Sequence, residues 1–202
     1  LYIPPAFAEN RPEELLAIMR AASLPILVSP TASGLIATHL PLHVVAPDRI
    51  IGHFARANPH WRDVLPGSES LAIFTAVDGY VSPSWYPSKA ETGKVVPTWN
   101  YQAVHATGRL ELIEDPAKLL DIVTTLTNTH EAGRAKPWAV SDAPSDYIAM
   151  QLKGIVGMVL HVTKLEGKAK LSQNKSIADR IGVAEGAAEE NPALAAAMRR
   201  TF

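Results

Sequence analysis

The chain has 202 residues, of which 47% are hydrophobic and 19% charged, with a formal net charge of −1 and no cysteine. That length holds one domain with a full core; the near-neutral charge excludes nucleic-acid binding driven by an overall positive field, and the missing cysteines exclude disulfides and thiolate metal sites. No apolar run approaches the ~20 residues of a membrane-spanning helix and no charged leader opens the chain, so a cytoplasmic, bacterial-type globular protein without a membrane partner is expected.

In chain order, Asn10-Arg11-Pro12-Glu13-Glu14 opens a first helix, with proline in the first turn, acids at the positive end, and Leu15, Leu16, Met19 and Ala22 at helical spacing. Pro25 to Ser29 and Leu35 to His39 flank Thr31-Ala32-Ser33-Gly34 and read as a β-hairpin. Strand-like segments follow at Leu42 to Val45, Ile50 to Ala55 and Leu71 to Thr75, a spacing that favours an antiparallel barrel or sandwich over βαβ units. Asn100 to Ile113 makes a long strand with Gly108 as a bend or bulge.

Asp115-Pro116 then starts a helix with a buried stripe of Leu119, Ile122, Val123 and Leu126, ending near Gly133. Pro144 to Leu152 is a short helix and Ile155 to Thr163 an apolar strand. Ser176-Ile177-Ala178-Asp179 signals one more helix, and Asn191-Pro192 precedes an alanine-rich segment.

Between these elements lies Tyr80 to Tyr101, YVSPSWYPSKAETGKVVPTWNY, which carries Tyr80, Tyr86, Tyr101, Trp85, Trp99 and the prolines at 83, 87 and 97. Aromatics this dense between φ-fixing prolines form a stiff amphipathic surface suited to a flat ring. A basic concentration from Lys164 to Lys175 holds Lys164, Lys168, Lys170 and Lys175 around Glu166. It reads as a phosphate site, a solvated hairpin or a small DNA patch.

Motif-bearing enzyme classes are disfavoured. His39 and His43 stand four apart across a strand, turn and strand, where that spacing does not align two imidazoles, so no metal site is expected. No G-x-S-x-G turn, P-loop or dinucleotide fingerprint occurs, and no residue stands out as a general acid or base, so no catalytic residue is named. A flavin mononucleotide needs cations and hydroxyls or amides for its phosphate, and amides for the edge of its ring; His53, Arg56, Asn58 and Lys94 are of the right types. Taken singly, Arg56 reads better as pairing a surface acid, Asn58-Pro59 as a turn, and His39 and His53 as core histidines.

Seven ordered segments go further: YIPPAF from Tyr2, THLPL from Thr38, GHFARANPHW from Gly52, YVSPSWYPSK from Tyr80, GKVVPTWNY from Gly93, KPWAVSDAP from Lys136 and KLSQN from Lys170. Together they resemble the PaiB family, described as FMN-binding negative transcriptional regulators with the split-barrel fold of pyridoxamine-phosphate oxidase and flavin reductases. The resemblance covers residues 1–182, departs from the family pattern at Ala169, and leaves 183–202 as a C-terminal helical tail.

The resemblance implies a mainly β (α+β) fold, a six-stranded antiparallel FMN-binding split barrel with peripheral helices, assembled as a homodimer with shared flavin sites. It places His39 and Leu40 near the ring or ribityl chain and His53, Arg56 and Asn58 along the neighbouring strand, with Arg56 and Asn58 toward the phosphate. Trp85, Tyr86, Trp99 and Tyr101 become candidate ring contacts, and Lys94, Lys170, Ser172 and Gln173 candidate polar ones, closing the site from the partner subunit. Dimer packing is an equal reading for the aromatics. Direct DNA binding finds little support in the charge pattern, and a redox or sensing role stands beside the regulatory one. A haem split barrel, with His39, His53 or His105 on the iron, is a further alternative.

Overall fold

The alternating segments pair into one mostly antiparallel sheet, in a computed structural model that describes residues 1–202. Its strands are β1 (Ala8–Glu9), β2 (Ile26–Thr31), β3 (Gly34–His39), β4 (His43–Ala46), β5 (Arg49–Ala55), β6 (Glu69–Val81), β7 (Thr98–Ile113) and β8 (Ile155–Lys170). The order is β3-β2-β6-β7-β8-β5-β4, with β1 added to β8. Helices α1 (Pro12–Ala21), α2 (His60–Asp63), α3 (Ser88–Thr92), α4 (Pro116–Glu131), α5 (Ser145–Leu152), α6 (Ile177–Glu190) and α7 (Pro192–Arg199) are peripheral. None is long and apolar enough to cross a membrane.

The fold is of the expected split-barrel class, but the sheet has eight strands and not six. The segment read as Leu42 to Val45 is β4, which turns straight back onto β5 through Ala46↔Arg49. The strand not read from the sequence is β1, whose two residues pair with Lys168 and Gly167. A two-residue strand has no periodicity of its own, so only its partner reveals it.

The chain divides into two compact units. The first comprises residues 1–22, 74–105 and 166–202, the second residues 23–73 and 106–165. In the first, α6 and α7 supply Val183, Ala184, Ala187, Leu194, Ala195, Ala197 and Met198 to a core shared with Val81, Tyr86, Ala169 and Leu171. Alanine-rich helices have little side-chain bulk, so they can lie close together and against the sheet. Side-chain caps start both, Asp179 N–H donating to Ser176 Oγ and Leu194 N–H to Asn191 Oδ1.

In the second unit β5 is buried on both faces. Ile50 and Phe54 are fully enclosed, while Ile51 packs with Ile113, Val159 and the α4 stripe of Leu119, Ile122 and Leu126. Asp115 caps α4 as its sequence requires, accepting a bond from Lys118 N–H at 3.0 Å. Strand β7 runs through Gly108, and the glycine permits close approach there: a methyl would lie 2.2 Å from the carbonyl oxygen of His161.

Candidate functional site

The residues singled out in the sequence fall into two sets. His39, Leu40, His53, Arg56 and Asn58 belong to the second unit; Trp85, Tyr86, Lys94, Trp99, Tyr101, Lys170, Ser172 and Gln173 belong to the first.

In the second unit, His39 is exposed at the end of β3 and Leu40 is buried beside it, held by its N–H on the Pro25 carbonyl. His53 lies on β5, half-buried, with Nδ1 enclosed and without a hydrogen-bond partner. Burial holds this imidazole below its ordinary value, so it is neutral at neutral pH.

Arg56 is already engaged. Its Nε donates to the Lys153 carbonyl at 2.9 Å, one terminal nitrogen to Glu114 at 2.6 Å and the other to the Ile155 carbonyl at 3.0 Å. The Trp61 indole stands under the guanidinium and donates to the Arg56 carbonyl. This fork staples the segment after β5 to the turn before β8, the pairing with a surface acid being one of the two readings its sequence allowed.

Sequence reasoning passed over the residue that organises this set. His60, at the start of α2, is fully buried and bonded through both ring nitrogens: Nδ1 to Thr38 Oγ1 and Nε2 to Ser29 Oγ, each at 2.8 Å. Ser29 Oγ continues to Ser70 Oγ at 2.7 Å. Asn58 joins from the other side, its amide donating to Thr38 Oγ1 and its oxygen accepting from the His60 N–H. The chain segments Thr38-His39 and Asn58-Pro59-His60, both part of the recognised pattern, are thereby one polar unit. The signal was present in the words THLPL and ANPHW, but a histidine between proline and tryptophan has no spacing that announces a partner twenty-two residues away.

In the first unit, at the end of β8, Lys168 is buried and Lys170 half-buried, while Ala169 and Leu171 turn into the α6–α7 core. The position at which this chain departs from the family pattern, Ala169, therefore faces packed helices. Lys168 donates to the Tyr2 carbonyl and sits between two rings, about 5.2 Å from that of Tyr2 and 5.0 Å from that of Tyr101. Lys170 holds Thr98 Oγ1 and the Trp99 carbonyl. Burial, then Lys168 and Lys175, push the Lys170 ammonium below its usual value. An anion placed here relieves both like-charge terms.

Around these cations the aromatics are open. Trp99 is 55% exposed and stacks edge-on with Tyr80; Tyr2 is 81% exposed. Lys94 is exposed and its ammonium makes no hydrogen bond. Gln173 is locked locally, its oxygen on Leu171 N–H and its amide on the Ala169 carbonyl. Ser172 has a left-handed backbone, φ 66°, and accepts a bond from Asn100 Nδ2 at 2.9 Å. Tyr86 is buried, and burial pushes the phenol up against the opposing influence of the nearby Ser172 hydroxyl.

Trp85 and the turn after it are set by α6. A methyl group on Gly186 would lie 2.3 Å from the Trp85 ring, and one on Gly182 would lie 2.4 Å from the Trp85 carbonyl oxygen. The two glycines form the groove that admits the indole. One turn earlier, Asp179 receives Ser88 N–H and Ser88 Oγ–H on its two oxygens.

Each set by itself has chemistry that suits part of a phosphorylated flat ring. The first unit offers ammonium groups and open aromatic faces, and the second offers hydroxyl and amide groups at Thr38 and Asn58. A mostly antiparallel split barrel with such groups is a flavin-binding protein.

The chain belongs to the family described as "Putative FMN-binding domain", whose model matches residues 1–164, and FMN is its cofactor. It is 35% identical over 196 residues to the protease synthase and sporulation protein PAI 2 of Bacillus subtilis, covering 95% of this chain and 92% of that one. It is 34% identical to a protein of Aspergillus fumigatus, over 70% of this chain and 67% of the relative, so the family is not confined to bacteria. Among solved structures, it resembles the flavocytochrome Anf3 of Azotobacter vinelandii (TM-score 0.59, 18% identity, 81% of this chain and 69% of that one). It also resembles an FAD and heme binding protein of Mycobacterium smegmatis (TM-score 0.60, 17% identity, 85% and 77%). At these identities the two structures speak for the fold alone.

Proposed function

We propose that this chain works as a homodimeric FMN-dependent oxidoreductase or redox sensor, in which the polar set of one protomer is completed by the aromatic and lysine set of its partner. One observation carries the reading. The first unit displays Tyr2, Tyr80 and Trp99 to solvent beside a cluster of ammonium groups with no carboxylate among their hydrogen-bond partners. Exposed aromatics grouped in this way need a cover, and a flat anion with a second subunit supplies one.

Bound FMN contributes hydride and single-electron transfer at its ring. The protein's share is to hold it. Lys170 and Lys168 meet negative charge, Thr38 and Asn58 meet an oxygen, and Trp99 and Tyr80 shield a ring face from water. A regulatory effect follows from the state of the flavin, with no requirement for the chain to grip DNA: its net charge is −1.

The test uses purified protein, its visible spectrum, FMN titration and sizing. Two defective variants, Asn58→Ala and Trp99→Ala plus Lys170→Met, are then co-expressed with different tags and the heterodimers isolated. Shared sites predict that each parent homodimer loses FMN while the heterodimer regains a single tight site. Monomeric protein, or a heterodimer as defective as its parents, overturns the reading. A steeply salt-dependent shift of promoter DNA by the flavin-free protein favours a DNA-binding repressor instead.

A further inference from the structure

The buried chain Ser70–Ser29–His60–Thr38 has a direction, and that direction decides what it offers a ligand. Each hydroxyl has one hydrogen to give, and a neutral imidazole has one N–H and one bare nitrogen. His60 is neutral, since full enclosure disfavours its charged form even with Asp63 acting the other way. The four groups therefore have two self-consistent settings.

In one setting His60 carries its proton on Nε2 and donates to Ser29, Ser29 donates to Ser70, and Thr38 spends its hydrogen on Nδ1. Ser70 is 1% exposed and its hydroxyl bonds to nothing but Ser29, so its own hydrogen is then stranded in the core; reversing the Ser29–Ser70 bond within this setting strands the buried Ser29 hydrogen instead. A buried donor without an acceptor costs about as much as a lost hydrogen bond. In the other setting Ser70 donates to Ser29, Ser29 donates to Nε2, and Nδ1–H donates to Thr38. Every buried hydrogen is used. Thr38 Oγ1, already accepting from Asn58 Nδ2 at 3.3 Å, now accepts twice and keeps its own O–H unspent.

We infer that His60 is a positioning residue held in the Nδ1–H tautomer by Ser29 and Ser70, so that the half-buried Thr38 hydroxyl and the second amide hydrogen of Asn58 form a paired donor for an oxygen of the bound ligand. The ligand atom is an anionic or carbonyl oxygen, which a phosphate and a flavin ring both possess. The inference rests on the FMN reading for the identity of the ligand and on the hydrogen-bond accounting alone for the tautomer.

The two parts are tested separately. Long-range ¹⁵N–¹H correlation spectra of the flavin-free, uniformly labelled protein, with His60 assigned by the resonance lost in His60→Asn, report the tautomer directly. Nδ1–H is expected, and an Nε2–H signature overturns the inference whether or not FMN binds. Titration with FMN and with inorganic phosphate then compares Thr38→Val and Thr38→Ser. The valine variant, isosteric but without a hydroxyl, is expected to bind FMN about tenfold more weakly while the serine variant stays within about twofold of wild type. A weakening for phosphate as well assigns the oxygen to phosphate; a weakening for FMN alone assigns it to the ring. Equal FMN affinity for the valine variant and wild type overturns the paired donor. Failure of wild type to bind FMN at all is a failure of the parent reading, and leaves the tautomer result standing.

Discussion

In the second unit the polar groups are spent on one another: the three donor nitrogens of Arg56 each meet an oxygen, and His60 closes a run from Ser70 to Thr38. In the first unit, Lys168 and Lys170 reach a hydroxyl and backbone carbonyls but no carboxylate, and Trp99 and Tyr2 face solvent. The first pattern is that of a frame, whose groups fix one another's geometry before anything binds. The second is that of a surface lacking its counterpart. Substitutions among the groups that the frame spends on itself should therefore register as lost stability, and substitutions on the surface, or at the Thr38–Asn58 donor pair that the frame holds out, as lost binding.

The sharpest break is expected where the aromatic loop is clamped. Gly186→Val adds a Cβ and two methyl groups where the Cβ alone would lie 2.3 Å from the Trp85 ring. Overpacking of this kind costs about 3 kcal/mol, and here it must expel the indole from the α6 groove. Urea denaturation followed by tryptophan fluorescence should show both the lost stability and a red-shifted native spectrum. An unchanged native emission with wild-type stability would mean that Trp85 does not occupy the groove.

Arg56→Ala comes next. It leaves the Lys153 and Ile155 carbonyls without their donor and removes a side chain that stands over Trp61. The guanidinium is only partly exposed, and a loss of about 2 kcal/mol is expected, with FMN affinity changed less than twofold once folding is corrected for. A tenfold loss of FMN at unaltered stability would move Arg56 from the frame to the binding surface.

Lys170→Met should behave in the opposite sense. Removing one ammonium from the cluster relieves repulsion in the free protein but deprives an anion of its partner, so FMN binding weakens about tenfold while stability moves by less than about 1 kcal/mol. Isothermal titration beside a denaturation curve separates the two. If stability falls and affinity holds, the lysine is a strut for Thr98 and Trp99 and nothing more.

How much of this was visible in the sequence depends on whether the signal was local. The hairpin, the long β7, the α4 stripe under Asp115 and the caps at Ser176 and Asn191 were legible because each is written in neighbouring residues. The far end of β8 was not: the expected strand stopped at Thr163, because Lys164 to Lys170 reads as a solvated charge run. The observed strand continues to Lys170, with Ala169 turned into the core. The types of residue in the flavin set were legible for the same local reason. Arg56's commitments to Lys153 and Ile155, the His60 hub and the Gly182–Gly186 groove were not, because each joins segments that are distant along the chain and is marked by no periodicity.

The mildest probe of the comparison is acid. Burial holds His53 and His60 in the second unit, and His105 in the first, below the ordinary imidazole value of 6.5. Folded chains therefore keep these rings neutral while unfolded chains take up protons as the pH drops past 6.5. Since the unfolded state then binds more protons, stability is full above that value and declines as the pH falls through the folded-state values. The frame has two such histidines and the surface unit one, and His60 in addition loses an acceptor at Nε2 on protonation. Amide hydrogen exchange at pH 8 and pH 5.5, corrected for intrinsic rates, should show protection falling more in β2, β3 and β5 than in α6 and α7. His60→Asn, which keeps an amide near the Nδ1 position and removes the titration, should flatten that difference. Equal loss of protection in both units, or the larger loss in the helices, would mean that the enclosed imidazoles do not govern the frame's response to acid.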